Sequence, residues 1–220
     1  MPARPDVRRD TLADCGYSGF VAIERLVAST GYGNIEQIIA SLTVFSHPNT
    51  VAQTSNQAIF RTIRARGDNK RHNVGMASGR LVMYDDNTVP QDAFLWANGF
   101  RYKTEFPECQ FNHIYGGVHC QNPEIYTSLA NICITPAFLA KLTDTHRSIP
   151  ALLKFRSFTL YGWAPNGEIP KKPDNYDSLE WADTLPPTTD VKAAIEKEVV
   201  RRPKSRAALS IKECGWLFGA

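Results

Sequence analysis

The stretch CQFNHIYGGVHC, residues 109–120, gathers two histidines, two cysteines, an asparagine and a Gly-Gly turn into twelve positions. Its first part belongs to the run ECQFNHIYGG, residues 108–117, in which apolar and aromatic residues are interrupted by Asn and Gly. Such a run is typical of a strand entering a turn. Three interpretations are open from these residues alone. They are a metal-assisted catalytic site, a zinc site and an ordinary hairpin in which polar residues cluster.

The next apolar segments extend this strand into a larger motif. The run SLANICIT, residues 128–135, predicts a second strand, and TPAFLAKL, residues 135–142, predicts a helix. Thr135 is a favourable N-cap, and Pro136 suits the first helical position because the missing N–H has no partner there. The predicted order is strand, loop, strand and helix.

Length and composition limit the class of protein. The chain has 220 residues, 43% of them hydrophobic and 21% charged, as in an ordinary globular protein. No stretch approaches the roughly 18 apolar residues of a membrane span, and the first residues lack the apolar core of a secretory signal. The five cysteines are an odd number without CxxC spacing, which favours reduced thiols over a disulfide framework. We therefore expect a cytoplasmic protein that does not bind membranes.

The predicted fold class is α+β, with a helical N-terminal region and a small mixed core. Helical spacing is present in residues 19–30, 34–45 and 56–66, and strand-like runs are present in residues 79–86, 92–100 and 108–117. Three regions are predicted along the chain. They are a helical, basic region at 1–75, a central α+β region at 76–165, and a Pro-rich arm with a C-terminal helix starting near Asp190 at 166–220, which belongs to the same globular unit.

Basic residues are unevenly distributed although the net charge is only +3. The stretch RTIRARGDNKRHN, residues 61–73, is rich in cations and hydrogen-bonding groups, which suits contacts with phosphates. The predicted nucleic-acid contacts are Arg61, Arg64, Arg66, Lys70, Arg71, His119 and Lys141.

The strand-loop-strand-helix motif resembles the HNH, or ββα-metal, nuclease family over about residues 105–145. The resemblance rests on FNHIYG followed by LANICITP. It implies that His113 is the general base that activates water, that Asn112 occupies the preceding metal-ligand position, and that Asn131 is the central asparagine that ties the loop together. A short chain with its own flanking regions also resembles a type II restriction endonuclease, which implies double-stranded DNA as substrate, a divalent cation (Mg²⁺, or Mn²⁺ in its place) and a homodimer.

The chain departs from this family pattern at the last metal ligand. Many members place a His or Asn about nine residues beyond the central asparagine, where this chain has Ala140. Either the helix is offset, or Asn131 takes the ligand role, or Lys141, Asp144 or His146 enters from just beyond. We assign Asp144 as the second metal ligand, beside Asn112.

A second function is consistent with the same residues. His113 is also explained as a half-buried sheet histidine that donates to a backbone carbonyl. A non-catalytic nucleic-acid-binding protein with a structural Zn²⁺ is the alternative, because the opening motif has the right ligand types, although their spacing is not standard. Its candidate zinc ligands are Cys109, His113, His119, Cys120 and Cys133.

Overall fold

Eight α-helices and two two-stranded sheets form the part of the chain that the structure describes, so the predicted α+β class is confirmed. The computed structural model describes residues 19–65, 67, 73–84 and 87–219. The helices are α1 (Gly19–Ala28), α2 (Ile35–Leu42), α3 (Pro48–Ala52), α4 (Thr88–Ala97), α5 (Leu142–Thr145), α6 (Ile149–Tyr161), α7 (Val191–Arg201) and α8 (Arg206–Cys214). The strands are β1 (Val74–Gly75), β2 (Val82–Met83), β3 (Cys109–His113) and β4 (Ile132–Pro136). None of the described helices combines the length and the apolar character that crossing a membrane requires.

The hairpin of β3 and β4 contains the two strands predicted around the opening motif. The strands are antiparallel, and the register runs from the pair Cys109 and Pro136 to the pair His113 and Ile132. On its other edge β4 exchanges two backbone hydrogen bonds with Val44, of 2.8 and 2.9 Å. Because β4 is paired on both edges, the end of β3 that carries His113 is held against a fixed neighbour.

Strand β4 separates two hydrophobic clusters. Ile132 and Ile134 belong to a cluster with α4, α7 and α8, while Cys133 belongs to a cluster with α2 and α6. Successive side chains of a strand point to opposite faces, so this alternation follows directly from the strand geometry. All three side chains are at most 1% exposed, and the hairpin is therefore anchored from both sides.

Helices with clear sequence signals lie where they were predicted. Asn34 caps α2 by accepting a hydrogen bond from the backbone N–H of Gln37 at 2.7 Å. Asp190 caps α7 in the same way through Ala193 at 2.9 Å. The predicted helices at 19–30, at 34–45 and from about Asp190 are confirmed as α1, α2 and α7.

The predicted strand at residues 92–100 is wrong, because these residues lie mainly in helix α4. The side chains of Phe94, Leu95 and Trp96 are all buried, so the helix has no polar face along this stretch. A helix that is buried all round lacks the 3.6-residue periodicity that separates a helix from a buried strand. Burial on every side therefore hid this helix from its sequence pattern.

The predicted helix at residues 56–66 is also wrong within its described residues, which end at Ala65. The backbone N–H of Ala58 donates to the carbonyl of Glu124 at 2.9 Å, and that of Phe60 donates to the hydroxyl of Thr127 at 2.9 Å. Phe60 also forms a β-bridge with Trp216. Hydrogen bonds to distant segments have replaced the local ones of a helix.

The segment after β4 differs from the predicted helix of residues 135–142. Strand β4 continues to Pro136, a single 3-10 turn covers Ala137–Leu139, and the short helix α5 follows. Thr135 is not an N-cap, because its hydroxyl accepts a hydrogen bond from Nδ2 of Asn112 at 2.8 Å. The strand pairing thus delays the first α-helical turn to Leu142.

Candidate active site

The candidate base, His113, is the last residue of β3, and its ring is held in a defined orientation. Its Nε2 lies 2.8 Å from the carbonyl oxygen of Tyr126, and its ring stacks on the Tyr126 ring at 4.6 Å between centroids. A carbonyl oxygen can only accept, so Nε2 is the donor. In the neutral ring the lone pair is therefore on Nδ1, which is the atom that can accept a proton.

Asn131 ties together the long loop between β3 and β4. Its side chain is fully buried, and its Oδ1 accepts a hydrogen bond from the backbone N–H of Tyr115 at 2.7 Å. Its Nδ2 lies 3.5 Å from the carbonyl oxygen of Ile125, and its own carbonyl accepts from the N–H of Ile114 at 2.9 Å. One side chain thus joins the start of the loop to its end, close to the Tyr126 carbonyl that orients His113.

Asn112 is nearly buried, and its amide orientation is fixed. Its Nδ2 donates to the carbonyl of Gln110 at 3.1 Å and to the hydroxyl of Thr135 at 2.8 Å. Among the described residues no hydrogen-bond donor reaches its Oδ1. With both donor contacts made by Nδ2, Oδ1 is the side-chain atom of Asn112 that could accept a further contact.

Two cavities meet at His113. The larger, here called the strand-side cavity, has a volume of about 430 Å³, and its polar lining includes Asn87, Gln91, Lys103, Gln110, Asn112 and Asp144. The smaller, here called the helix-side cavity, has a volume of about 340 Å³ and is lined by Thr143, Asp144, Pro150 and Lys154 on the side of α5 and α6. His113, Gly116 and Gly117 line both cavities.

Asp144 is the residue that α5 brings to this point. It lies 31 positions after His113 in the chain, and its exposed carboxylate lines both cavities together with His113. The other two candidates from just beyond Ala140 lie elsewhere. Lys141 lines neither cavity, and buried His146 is held by Ser148 and lies 3.7 Å from Glu24.

Two residues at this point have side-chain oxygens that could bind a hard divalent cation. Asn112, with an amide oxygen, and Asp144, with a carboxylate, both line the strand-side cavity. Mg²⁺ is commonly held by one or two protein carboxylates together with waters and substrate phosphate, so a complete protein ligand set is not required. In the part of the chain that is described, no three His, Cys, Asp or Glu side chains come close enough together to hold a metal ion.

The cysteines of the opening motif are separated by the hairpin. Cys109 pairs with Pro136 at one end, whereas Cys120 follows the turn, where its Sγ donates to the carbonyl of Tyr115 at 3.2 Å. Burial, with a smaller contribution from the Asp144 carboxylate, raises the pKa of Cys133 to about 12. A cysteine binds zinc as a thiolate, and the environment of Cys133 opposes that form.

We expect alkylation of the native protein to separate the four cysteines that the structure describes into two classes. Cys133 and Cys214 are buried, and burial raises the pKa of both thiols, so few thiolates form at neutral pH. Half-buried Cys109 and Cys120 should react with iodoacetamide first, as mass spectrometry of the peptides will show. Denaturant serves as the control and should make all of them reactive. Rapid alkylation of Cys133 in the native protein would contradict this assignment.

The predicted nucleic-acid contacts that the structure describes do not line the two cavities at His113. Arg61 lines a separate groove of about 480 Å³ together with Arg80 and Trp216, and Arg64 follows in the same irregular segment but does not line that groove. His119 packs edge-on against Tyr115 at 6.0 Å, and neither it nor Lys141 lines the two cavities. Three further predicted contacts lie outside the described residues; they are Arg66, Lys70 and Arg71.

Several side chains near His113 were not predicted as site residues. The backbone carbonyl and the ring of Tyr126 both orient His113. Lys103, Gln110 and Lys154 line the cavities, and no local motif marks any of them. Of these, only Lys154 had a sequence signal, since it lies among aromatic residues in a basic stretch.

Comparisons of the chain with models of known protein families, with curated proteins and with solved structures find no match.

Proposed function

We propose that the protein is a metal-dependent endonuclease that hydrolyses phosphodiester bonds in double-stranded DNA, with His113 as the general base. The observation that carries the proposal is the position of His113. Its ring is oriented by the Tyr126 carbonyl at the end of a strand, where the Asp144 carboxylate lines the same two cavities. A histidine with only a structural role would explain the carbonyl contact but not the cavities.

The chemistry follows from the groups around His113. Phosphodiester hydrolysis needs a water nucleophile, a proton acceptor and positive charge beside the phosphate. Nδ1 of neutral His113 can take the proton from the water near pH 7, while the hydrogen bond to Tyr126 holds the ring in place. Asn131 supports this arrangement because it holds the ends of the loop together.

A divalent cation, Mg²⁺ or Mn²⁺ in its place, would be held by Oδ1 of Asn112 and the carboxylate of Asp144, and would supply positive charge to the phosphate oxygens and the leaving group. We further propose a type II restriction enzyme of the HNH class. Cutting both strands of a symmetric site would then require two active sites, which a homodimer provides. Arg61 and Arg64 would contact DNA phosphates outside the cleavage site.

The test of the proposed function is incubation of the pure protein with plasmid and genomic DNA in Mg²⁺, Mn²⁺ or chelator. We expect discrete fragments with either metal and none with chelator. Binding without cleavage in every metal, together with tightly held zinc, would replace the proposal with the non-catalytic binding protein. Parallel incubation with RNA shows whether the protein cleaves DNA, RNA or both.

Replacing Asp144 with asparagine is expected to raise the Mg²⁺ concentration for half-maximal cleavage by about tenfold or more. Even residues that only support a metal ligand typically contribute that much to metal affinity. The side chain is exposed, so the melting temperature should not change. Exposed Asp183 lines neither cavity, and Asp183→Asn is the matched control. An unchanged Mg²⁺ requirement in Asp144→Asn would remove Asp144 from the ligand set.

A further inference from the structure

Lys154 brings a positive charge to the cavity beside His113. It lies on α6 and lines the helix-side cavity, with His113 and Asp144 on the walls formed by other elements. Its Nζ lies 5.7 Å from the centroid of the Tyr115 ring, and its side chain is half-buried. The ammonium group therefore lies over an aromatic face, on a residue that lines the cavity.

This ammonium group has no anionic partner among the described residues, where the only contact of its charge is with the Tyr115 ring. Among the described residues that line the cavity, Asp144 alone carries a carboxylate, and the described ion pairs do not include one between Asp144 and Lys154. A charge that is partly withdrawn from water gains most from a partner of opposite sign. The neighbouring cation on α6 is already engaged, because Arg156 stacks on the Trp181 ring at 4.8 Å.

We propose that Lys154 binds a non-bridging oxygen of the phosphate group held beside His113, an inference that rests on the proposed endonuclease function. Three walls of one cavity then supply a proton acceptor, a carboxylate and a cation, from β3, α5 and α6 respectively. A lysine suits this position because its compact ammonium group carries three donors that adapt to a tetrahedral anion. Lys154 is a substrate-binding residue in this proposal and exchanges no proton.

The test compares variants of Lys154 that differ in charge. Lys154→Met keeps an unbranched side chain but removes the charge, whereas Lys154→Arg keeps the charge. Lys197→Met is the matched control, since this exposed lysine of α7 lines neither cavity. The affinity of each protein for a short DNA duplex is measured by fluorescence anisotropy in chelator, where metal-dependent cleavage is blocked, over a series of salt concentrations.

We expect Lys154→Met to bind the duplex about tenfold more weakly, which is the usual effect of losing a hydrogen bond to a charged group. The plot of the log of the binding constant against the log of the salt concentration should become less steep by about 0.9, because one phosphate contact is lost. Lys154→Arg should restore most of both quantities, and Lys197→Met should change neither. With Mg²⁺, Lys154→Met should lower kcat by a larger factor than it raises KM, because the bound phosphate is the one that reacts.

A purely structural lysine would give a different pattern. Lys154→Met would then lower the melting temperature without changing the salt slope, and this outcome would overturn the proposal. A wild-type protein that binds the duplex but cleaves no nucleic acid in any metal would refute the endonuclease function, while the binding comparison would still decide whether Lys154 contacts phosphate. Absence of duplex binding by the wild type would refute both.

Discussion

His113→Ala is expected to lower the rate of DNA cleavage by about 10²- to 10⁴-fold, the usual contribution of a general base. The variant keeps Asn112 and Asp144, so binding of metal and DNA should change little. Folding should survive as well, because the half-buried ring lies at the end of a strand whose pairing with β4 does not depend on it. Single-turnover cleavage with saturating enzyme separates this loss of rate from any loss of affinity.

Added imidazole provides a second, sharper measurement on the same variant. Replacing the ring with a methyl group leaves space beside the two cavities, and free imidazole titrates near the same pH as histidine. We expect imidazole to restore part of the activity of His113→Ala and to leave the wild-type rate unchanged. Full cleavage by His113→Ala without imidazole would show that the hairpin is structural and that the reaction occurs elsewhere.

Asn131→Ala is expected to lower the free energy of unfolding by about 2–3 kcal/mol. The substitution leaves the backbone N–H of Tyr115 without its buried acceptor, and an unsatisfied buried group costs about 1–3 kcal/mol before the lost packing is counted. Urea denaturation monitored by circular dichroism gives the value. Cleavage should fall as well, because the same side chain fixes the loop that carries Tyr126.

Asn122→Ala is the control for this effect. Asn122 lies in the same loop, and its Oδ1 accepts from the N–H of Glu124 at 2.8 Å, but the site is open to solvent. Water can replace that acceptor, so we expect a change below about 1 kcal/mol. Equal destabilisation by both substitutions would show that the loop gains nothing from the burial of Asn131.

The sequence pattern was most informative where local interactions decide the structure. The caps Asn34 and Asp190 bond to backbone groups three residues away, and helices α2 and α7 begin where these residues predict. The strand that ends at His113 also stands out, because an aromatic run meets a Gly-Gly turn. The grouping of Asn112, His113 and Asn131 around one loop could be predicted, since strand pairing follows from two neighbouring strand signals.

The pattern failed where distant segments decide the structure. Ala58 and Phe60 bond to the loop before β4 rather than to their own helical neighbours, and nothing in residues 56–66 encodes those partners. Helix α4 lacks a polar face because other elements surround it. Asp144 could be named only as one of several candidates, since the place of its carboxylate depends on where α5 begins. The position of Lys154 requires the packing of α6 against the hairpin.

The alternation of β4 between two hydrophobic clusters determines whether the segment that carries the candidate site could fold by itself. Residues 105–145 carry the whole strand-loop-strand arrangement, yet Ile132 and Ile134 rest on one set of helices and Cys133 on another. Excised as a peptide, this segment would expose both faces of its central strand to water and lose the neighbours that fix its register. The candidate site therefore depends on helices outside residues 105–145, and we do not expect this segment to keep its structure when it is moved to another protein.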